Sequence, residues 1–290
     1  VAKLDLPNNE GPESVVSAAG SMWVSSHRGN TLYRIDPASN AVSAMIDVGQ
    51  NTCGDLGTGF DRIWLSHCAE GAQAVVVDPA TNKVVGRFTT GDPVFAFDAN
   101  SVWTTSFPGD RLMRVDPKTL RTTATLDVSV FDVSPGGGYE WVAVADDAGE
   151  YKGSIAKVDP ATNKVVATFQ TRELTNPYMV FLGDSLWLSN QQDGTLVRVN
   201  TATGASQQFT VIPFAKMTQL YDVQLTTDGT NLYYRNGDGS VAEINPETAS
   251  IVKSFAADPA GGGGGMGVGF GSLWVNNFGV GTLWRDDLRA

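Results

Sequence analysis

"AKVDPATNKVVATFQT" spans residues 156–171, and "VVVDPATNKVVGRFTT" repeats it at residues 75–90. A phrase used twice is a repeat, and its period decides the architecture before any single residue is weighed. Asp-Pro pairs stand at Asp36-Pro37, Asp78-Pro79, Asp116-Pro117 and Asp159-Pro160, with degenerate copies at Asn200-Thr201, Asn245-Pro246 and Asp286-Asp287, a spacing of 38 to 45 residues. An aromatic inside a short apolar run keeps phase with them: "SMWVSS" (Trp23), "RIWLSH" (Trp64), "SVWTTS" (Trp103), "YEWVAV" (Trp141), "SLWLSN" (Trp187), "NLYYRN" (Tyr233) and "SLWVNN" (Trp274). Two independent markers therefore agree on seven units.

Each unit reads as strands. An apolar run, a Gly/Asp/Ser turn, the Trp run, a polar loop and a run such as "TLYRID" lead into the Asp-Pro-x-Thr/Ser-Asn turn and a fourth alternating run such as "AVSAMIDV". Nothing longer than a turn has helical periodicity. Four short strands in roughly 40 residues is the signature of one propeller blade, so the expected fold is an all-β, seven-bladed β-propeller with four-stranded antiparallel blades. The seventh unit stops at "GTLWRDDLRA", after its third strand, while the chain begins with "VAKLDLP", which alternates like the fourth strands "TATLDV" and "SAMIDV". The run 1–7 is thus expected to complete blade seven and remove an exposed edge, giving one domain over residues 1–290.

Composition narrows the setting. A hydrophobic fraction of 42% with 32 glycines suits an all-β protein rich in tight turns, and no apolar run approaches the roughly 18 residues needed to span a bilayer. The net charge of -11, with 20 basic residues scattered along the chain, argues against a nucleic-acid surface and against anionic membranes. The chain opens at Val1 with no signal peptide and no initiator Met, as a processed secretory protein would. If the second unit's first hairpin turns at Phe60-Asp61, Gly59 faces Arg62, and counting outward sets Cys53 opposite Cys68. Three readings stay open for the two cysteines: a disulfide, two unpaired thiols, or a metal site with His67. The disulfide implies a periplasmic or extracellular location.

"VVVDPATNKVVGRFTTG", "IAKVDPATNKVVATFQT" and "MWVSSHRGNTLYRIDPASNAVSAMIDVG" resemble the repeats of the YVTN-type, YncE-like β-propellers over essentially the whole chain. That resemblance implies a propeller in a secreted or periplasmic setting and implies no reaction. A seven-bladed ring with Trp-rich second strands is also similar to the virginiamycin B lyase-type propellers, metal-assisted enzymes that open a cyclic depsipeptide by elimination. That similarity implies a catalytic His and Glu around the last blade. The corresponding stretch here, "GGGGGMGVGFGSLWVNNFGVGTLWR", contains neither residue type.

Propellers place their chemistry on the loops entering each innermost strand and on those joining second to third strands. The chain has two histidines, His27 and His67, both at the end of a second strand in adjacent blades. With Glu70, Glu10 or Glu13 they form a candidate site for a divalent metal or for general acid-base catalysis. The bland alternative, a pair of polar rim residues, fits the absence of any HxH or HxxxH spacing. Asp146, Asp147 and Glu150 gather carboxylates in the loop after Trp141 without an EF-hand pattern, which reads as a solvated acidic loop. Gly261 to Gly265 is followed by no Lys-Ser/Thr, so it is a connection between blades rather than a phosphate loop. Aromatic, amide and basic side chains in the rim loops are the candidate ligand-binding set: Arg28, Phe95, Phe107, Asn176, Tyr178, Asn190, Tyr221, Asn276, Asn277 and Phe278. The expected function is a binding or scaffold propeller taking a small molecule, peptide or protein at this face. The enzymatic alternative is a metal-assisted lyase or lactone-opening hydrolase acting on a small cyclic substrate.

Overall fold

The aspartate of the repeated phrase closes its own turn. In the computed structural model of the protein, Asp159 Oδ1 accepts the Ala161 N–H at 2.8 Å and Oδ2 accepts the Thr162 hydroxyl at 2.9 Å. The structure describes residues 1–49, 55–67, 73–91, 94–106, 111–146, 148–211, 224–236, 240–255 and 263–289. Asp36, Asp78 and Asp116 each accept the N–H two residues on, and Asn200 and Asn245 do so where the aspartate is lost. These N–H donors hold the carboxyls of Asp36, Asp116 and Asp159 below the ordinary aspartate range. The turn ends in left-handed backbone, with φ of 52° at Asn40, 55° at Asn82 and 54° at Asn163. Asparagine visits that region at little cost, which is why the phrase ends in it.

Turns of this kind and two-residue hairpins fold the described residues almost wholly into antiparallel strands, with one short 3-10 turn at Pro7–Asn9. The first unit runs Pro12–Ala18, Ser21–Ser26, Thr31–Asp36 and Ala41–Asp47, each strand paired with the one before it. Among the described residues there are five four-stranded sheets and one seven-stranded sheet. In the last, the 15-residue strand Thr122–Gly136 serves two units. Its first half pairs with Arg111–Val115 up to Ser129, and its second half pairs with Tyr139–Ala145 from Val130 onward. Ala2–Asp5 pairs with Thr282–Asp287, Ala2 facing Arg285, so the N-terminal run joins the last sheet as its alternation predicts.

The Trp strands are buried on both faces, which explains the short apolar runs around each aromatic. Trp23, Trp64, Trp103, Trp141, Trp187 and Trp274 are at most 1% exposed. The indole N–H of Trp23, Trp64, Trp141 and Trp274 is satisfied by the carbonyl five residues earlier, at 3.0 Å in each case. Trp103 uses the Asp98 carboxylate instead, at 2.9 Å. The described core forms seven clusters, each uniting consecutive units. Trp274 and Leu283 of the last unit share a cluster with Val15, Met22 and Ile35 of the first. Truncating one such indole costs ~3–5 kcal/mol.

A second device ties neighbours together across the turns. Arg34 lies over the Trp23 ring at 5.1 Å, donates Nε to Ser21 Oγ at 2.9 Å, and reaches the next unit's phrase through the Pro79 carbonyl and Asn82 Oδ1, both at 2.9 Å. Arg114 repeats this with Trp103, Ser101, Pro160 and Asn163. Arg285 repeats it with Trp274 and Ser272, and its reach ends on Pro37 and Asn40 of the first unit. The Pro-x-x-Asn half of the phrase is therefore an acceptor for a neighbour's guanidinium as well as a turn.

Candidate functional site

The first strands of the units stand side by side. Pro12–Ala18 touches Leu56–Gly59 and Met266–Gly269; Ala96–Phe97 bridges Leu56–Gly59 and Thr122–Gly136; Met179–Leu182 touches Thr122–Gly136 and Gln224–Thr227, which in turn touches Met266–Gly269. Residues 14–17, 224–227 and 266–268, with Asp55, Leu56 and Tyr178, line a cavity of about 320 Å³ between them. Adjoining it, and sharing Asp55 and Tyr178, is a cavity of about 290 Å³ walled by Val94, Phe131, Asp132, Asn176, Pro177 and Gln191.

Strand register explains why these residues meet. Val16, Gly57, Ala96, Ser134, Val180, Thr226 and Gly267 each face the aromatic marker of their unit. Two positions earlier, within or just ahead of each inner strand, lie Ser14, Asp55, Val94, Asp132, Tyr178, Gln224 and Gly265. Three of these support the next unit: Ser14 Oγ accepts the Leu56 N–H at 3.2 Å, Asp132 Oδ2 the Met179 N–H at 2.8 Å, and Gln224 Oε1 the Met266 N–H at 2.9 Å. Asp55 has no hydrogen-bond partner among the described residues.

Both aspartates are half-buried, open to the cavity but surrounded by protein. Burial first, and the Glu13 charge second, push the Asp55 carboxyl up to about 7. Burial also pushes the Asp132 carboxyl up to about 7, aided by the charge of Asp55 and opposed by the N–H groups of Met179 and Val133. Two carboxyls poised near neutrality can accept donors from a ligand or exchange a proton with it. Asn176 Nδ2 donates to Gln191 Oε1 at 2.7 Å, placing two amides beside the apolar walls of Phe131, Pro177 and Tyr178.

The residues expected from the sequence divide into three groups. Asn176 and Tyr178 line the cavity. A second group supports the rim. Asn190 is 1% exposed, and its Oδ1 holds the Thr175 N–H at 2.9 Å. Phe95 stacks on Phe97 within an inter-unit cluster. Asn276 and Asn277 are buried, with Asn276 pressed so closely by the Gly264 backbone, at φ 116°, that a side chain at position 264 would collide with its amide. The third group is histidine chemistry. His27 Nδ1 lies 2.6 Å from Glu13 Oε2, an ion pair when the imidazole is protonated. Phe278 meets His27 edge-on at 5.1 Å and carries the exposed Arg28 guanidinium over its ring at 4.6 Å. His67 is 8% exposed, with Nε2 unpartnered among the described residues. Burial and the nearby Arg87 hold its imidazole below the ordinary histidine range, against a hydrogen bond to Val48. The two imidazoles thus have separate surroundings.

Among the described residues, no three His, Cys, Asp or Glu side chains gather as metal ligands, and no helix is long and apolar enough to cross a membrane. Glu70, Phe107, Tyr221, Cys53, Cys68 and Asp147 lie outside the described residues; the hairpin register that placed the cysteines opposite each other holds as far as Leu56 facing Leu65. Asp55, Asp132 and Gln191 were not singled out from the sequence. Only the register count from the Trp marker could have found the two aspartates.

No family model matches the chain and no curated protein matches it, so the resemblance to YVTN-type repeats gains no support. Solved structures do match. The chain is similar to virginiamycin B lyase from Staphylococcus aureus over 97% of both chains, with a TM-score of 0.75 at 14% identity. It is similar to a streptogramin B lyase over 98% of its own length and 97% of that chain, with a TM-score of 0.77 at 16% identity. It is similar to BamB from Moraxella catarrhalis over 94% of its own length and 81% of that chain, with a TM-score of 0.63 at 17% identity. At such identities the likeness is one of fold alone. Joined to the antiparallel sheets, it makes the chain an all-β protein of the β-propeller type.

Proposed function

We propose that the chain is a single seven-bladed propeller, closed between its last and first units, that binds a ligand at the mouth of its central cavity. Seven in-phase markers, the shared strand Thr122–Gly136 counted in two units, and the contact of Arg285 with the first unit's turn support the closed ring. The observation that carries binding is the cavity where Asp55, Asp132, Asn176 and Gln191 converge beside Phe131, Pro177 and Tyr178. Apolar walls with a few convergent polar groups are how small-ligand sites are built. The ligand is a small organic molecule or short peptide whose donors meet the carboxyls. A setting outside the cytoplasm fits the disulfide that the sequence leads one to expect between Cys53 and Cys68.

One observation favours an enzyme instead: two neighbouring carboxyls that both titrate at about 7 make an acid-base pair for opening a cyclic ester. Binding is the reading preferred, because Asp132 already serves the Met179 backbone.

Methyl-¹³C methionine spectra test this. Met266 lines the central cavity and Met179 follows Tyr178. Members of a panel of amides, amines and tripeptides are expected to shift these two signals, and Asp55→Asn and Tyr178→Ala are expected to abolish the shifts. Shifts that persist in both variants, or a silent panel, would overturn the reading; ring opening of a lactone in the panel would move it to the enzyme.

A further inference from the structure

The residue before the aromatic marker is Met22, Ile63, Val102, Leu186, Leu232 or Leu273 in six units, each 0% exposed. In the fourth unit it is Glu140, itself only 1% exposed. A carboxyl at a core position is expected to be fully paired, yet Glu140 Oε2 has no hydrogen-bond partner among the described residues. It stands in the wall of a cavity of about 410 Å³ between the third and fourth units, which shares no lining residue with the channel-mouth site.

The surroundings define what would satisfy it. Asp98 is occupied by the Trp103 indole and by the N–H groups of Asn100 and Ser101. Arg114 commits Nε to Ser101 and Nη1 to Pro160 and Asn163, Nη2 lies 3.9 Å from Asp98 Oδ2, and two carboxyls line the cavity. Asn100 adds an amide to the wall and Lys157 Nζ lies over the Tyr139 ring at 3.8 Å; the rest is apolar, from Pro135, Tyr139 and Pro160, and Gly138 leaves open space where a side chain would stand. An anion would meet Glu140 and Asp98, and a plain hydrocarbon would leave Glu140 unpaired.

We propose that this cavity is a second binding site, for a small organic cation: a primary or secondary ammonium on a compact apolar body, its N–H groups on Glu140 and its hydrocarbon against Tyr139, Pro135 and Pro160. Its volume falls within the range of small-molecule sites. Burial first, then the Asp98 charge, push the Glu140 carboxyl up to about 8, with Arg114 opposing. At neutral pH the empty site therefore holds a protonated carboxyl. Docking of an ammonium turns this group into a carboxylate, and its proton leaves to solvent while the ligand keeps its own.

Calorimetric titration with cyclohexylamine, run at pH 7 in two buffers of different ionisation enthalpy, tests the assignment. One-to-one binding is expected, with release of up to about one proton per ligand. Glu140→Gln, which keeps the shape, is expected to weaken binding at least tenfold and to abolish the proton release. Glu140→Leu, which installs the residue type of the other units, is expected to remove binding while the protein remains folded. Cyclohexanol is expected not to compete. Failure of the amine to bind, equal affinity in either variant, or equal binding of the alcohol would each overturn the proposal.

Discussion

Arg285→Met isolates the seam between the last and first units. The substitution keeps the aliphatic stem over Trp274 but removes the hydrogen bonds to Ser272, Pro37 and Asn40 and the cation over the indole. The guanidinium is half-buried, so the abandoned acceptors regain some water, and the low end of the usual range applies. Three bonds at about 1 kcal/mol each, with about 0.5 kcal/mol for the cation over the ring, give a loss of roughly 3.5 kcal/mol. Arg34→Met removes the corresponding set between the first and second units, with one further exposed bond to the Ala19 carbonyl at 3.3 Å, and serves as the reference. In urea unfolding followed by tryptophan fluorescence, a slope of about 3 kcal/mol/M converts this to a midpoint about 1 M lower in each variant. A midpoint that falls for Arg34→Met and stays unchanged for Arg285→Met would refute the closed ring, because the two contacts are equivalent only if the first and last units meet in solution.

Stability should depend on pH in an unusual direction above pH 4.5. Glu140, Asp55 and Asp132 have folded-state values raised to about 8, 7 and 7, so between roughly pH 4 and 8 the native state binds more protons than the unfolded chain and stability falls as pH rises. The urea midpoint is expected to be higher at pH 5 than at pH 8, and Glu140→Leu to flatten the difference; a midpoint rising with pH would contradict the burial of these carboxyls. In Asp55→Asn the Asp132 carboxyl should titrate lower than in the native protein, since a like charge is gone, and carboxyl ¹³C shifts against pH read this directly. Gly153→Ala places a methyl 2.6 Å from the Thr171 carbonyl at φ 87°, and should cost about 2–3 kcal/mol, seen as a lower thermal midpoint.

The strands and their order were legible because the Trp runs and the Asp-Pro turns are local patterns. The same phrase concealed its second role. Its proline carbonyl and asparagine amide accept from an arginine far along the chain, Arg34 at a separation of 45 residues and Arg285 at 245, and no local pattern contains both partners. Asp55 and Asp132 escaped notice because the inner-strand level they share also holds Ser, Val, Tyr, Gln and Gly, and so presents no motif. Glu140 was visible throughout: "YEWVAV" breaks a column that is apolar in the other six units, but the aromatic beside it defined the repeat and drew the reading. Asn176 and Tyr178 were legible as rim residues because they stand in a loop that enters an inner strand, and both line the cavity.

The strand Thr122–Gly136 passes from one pairing partner to the next between Ser129 and Val130 without a loop. Elsewhere the chain can be cut in a connection and its ends rejoined with each ladder intact, whereas a cut here severs a hydrogen-bonded strand. Circular permutants opened in the hairpin turns should therefore refold readily, and one opened at Ser129-Val130 should not, which makes the third and fourth units an inseparable pair when the order of the chain is rearranged.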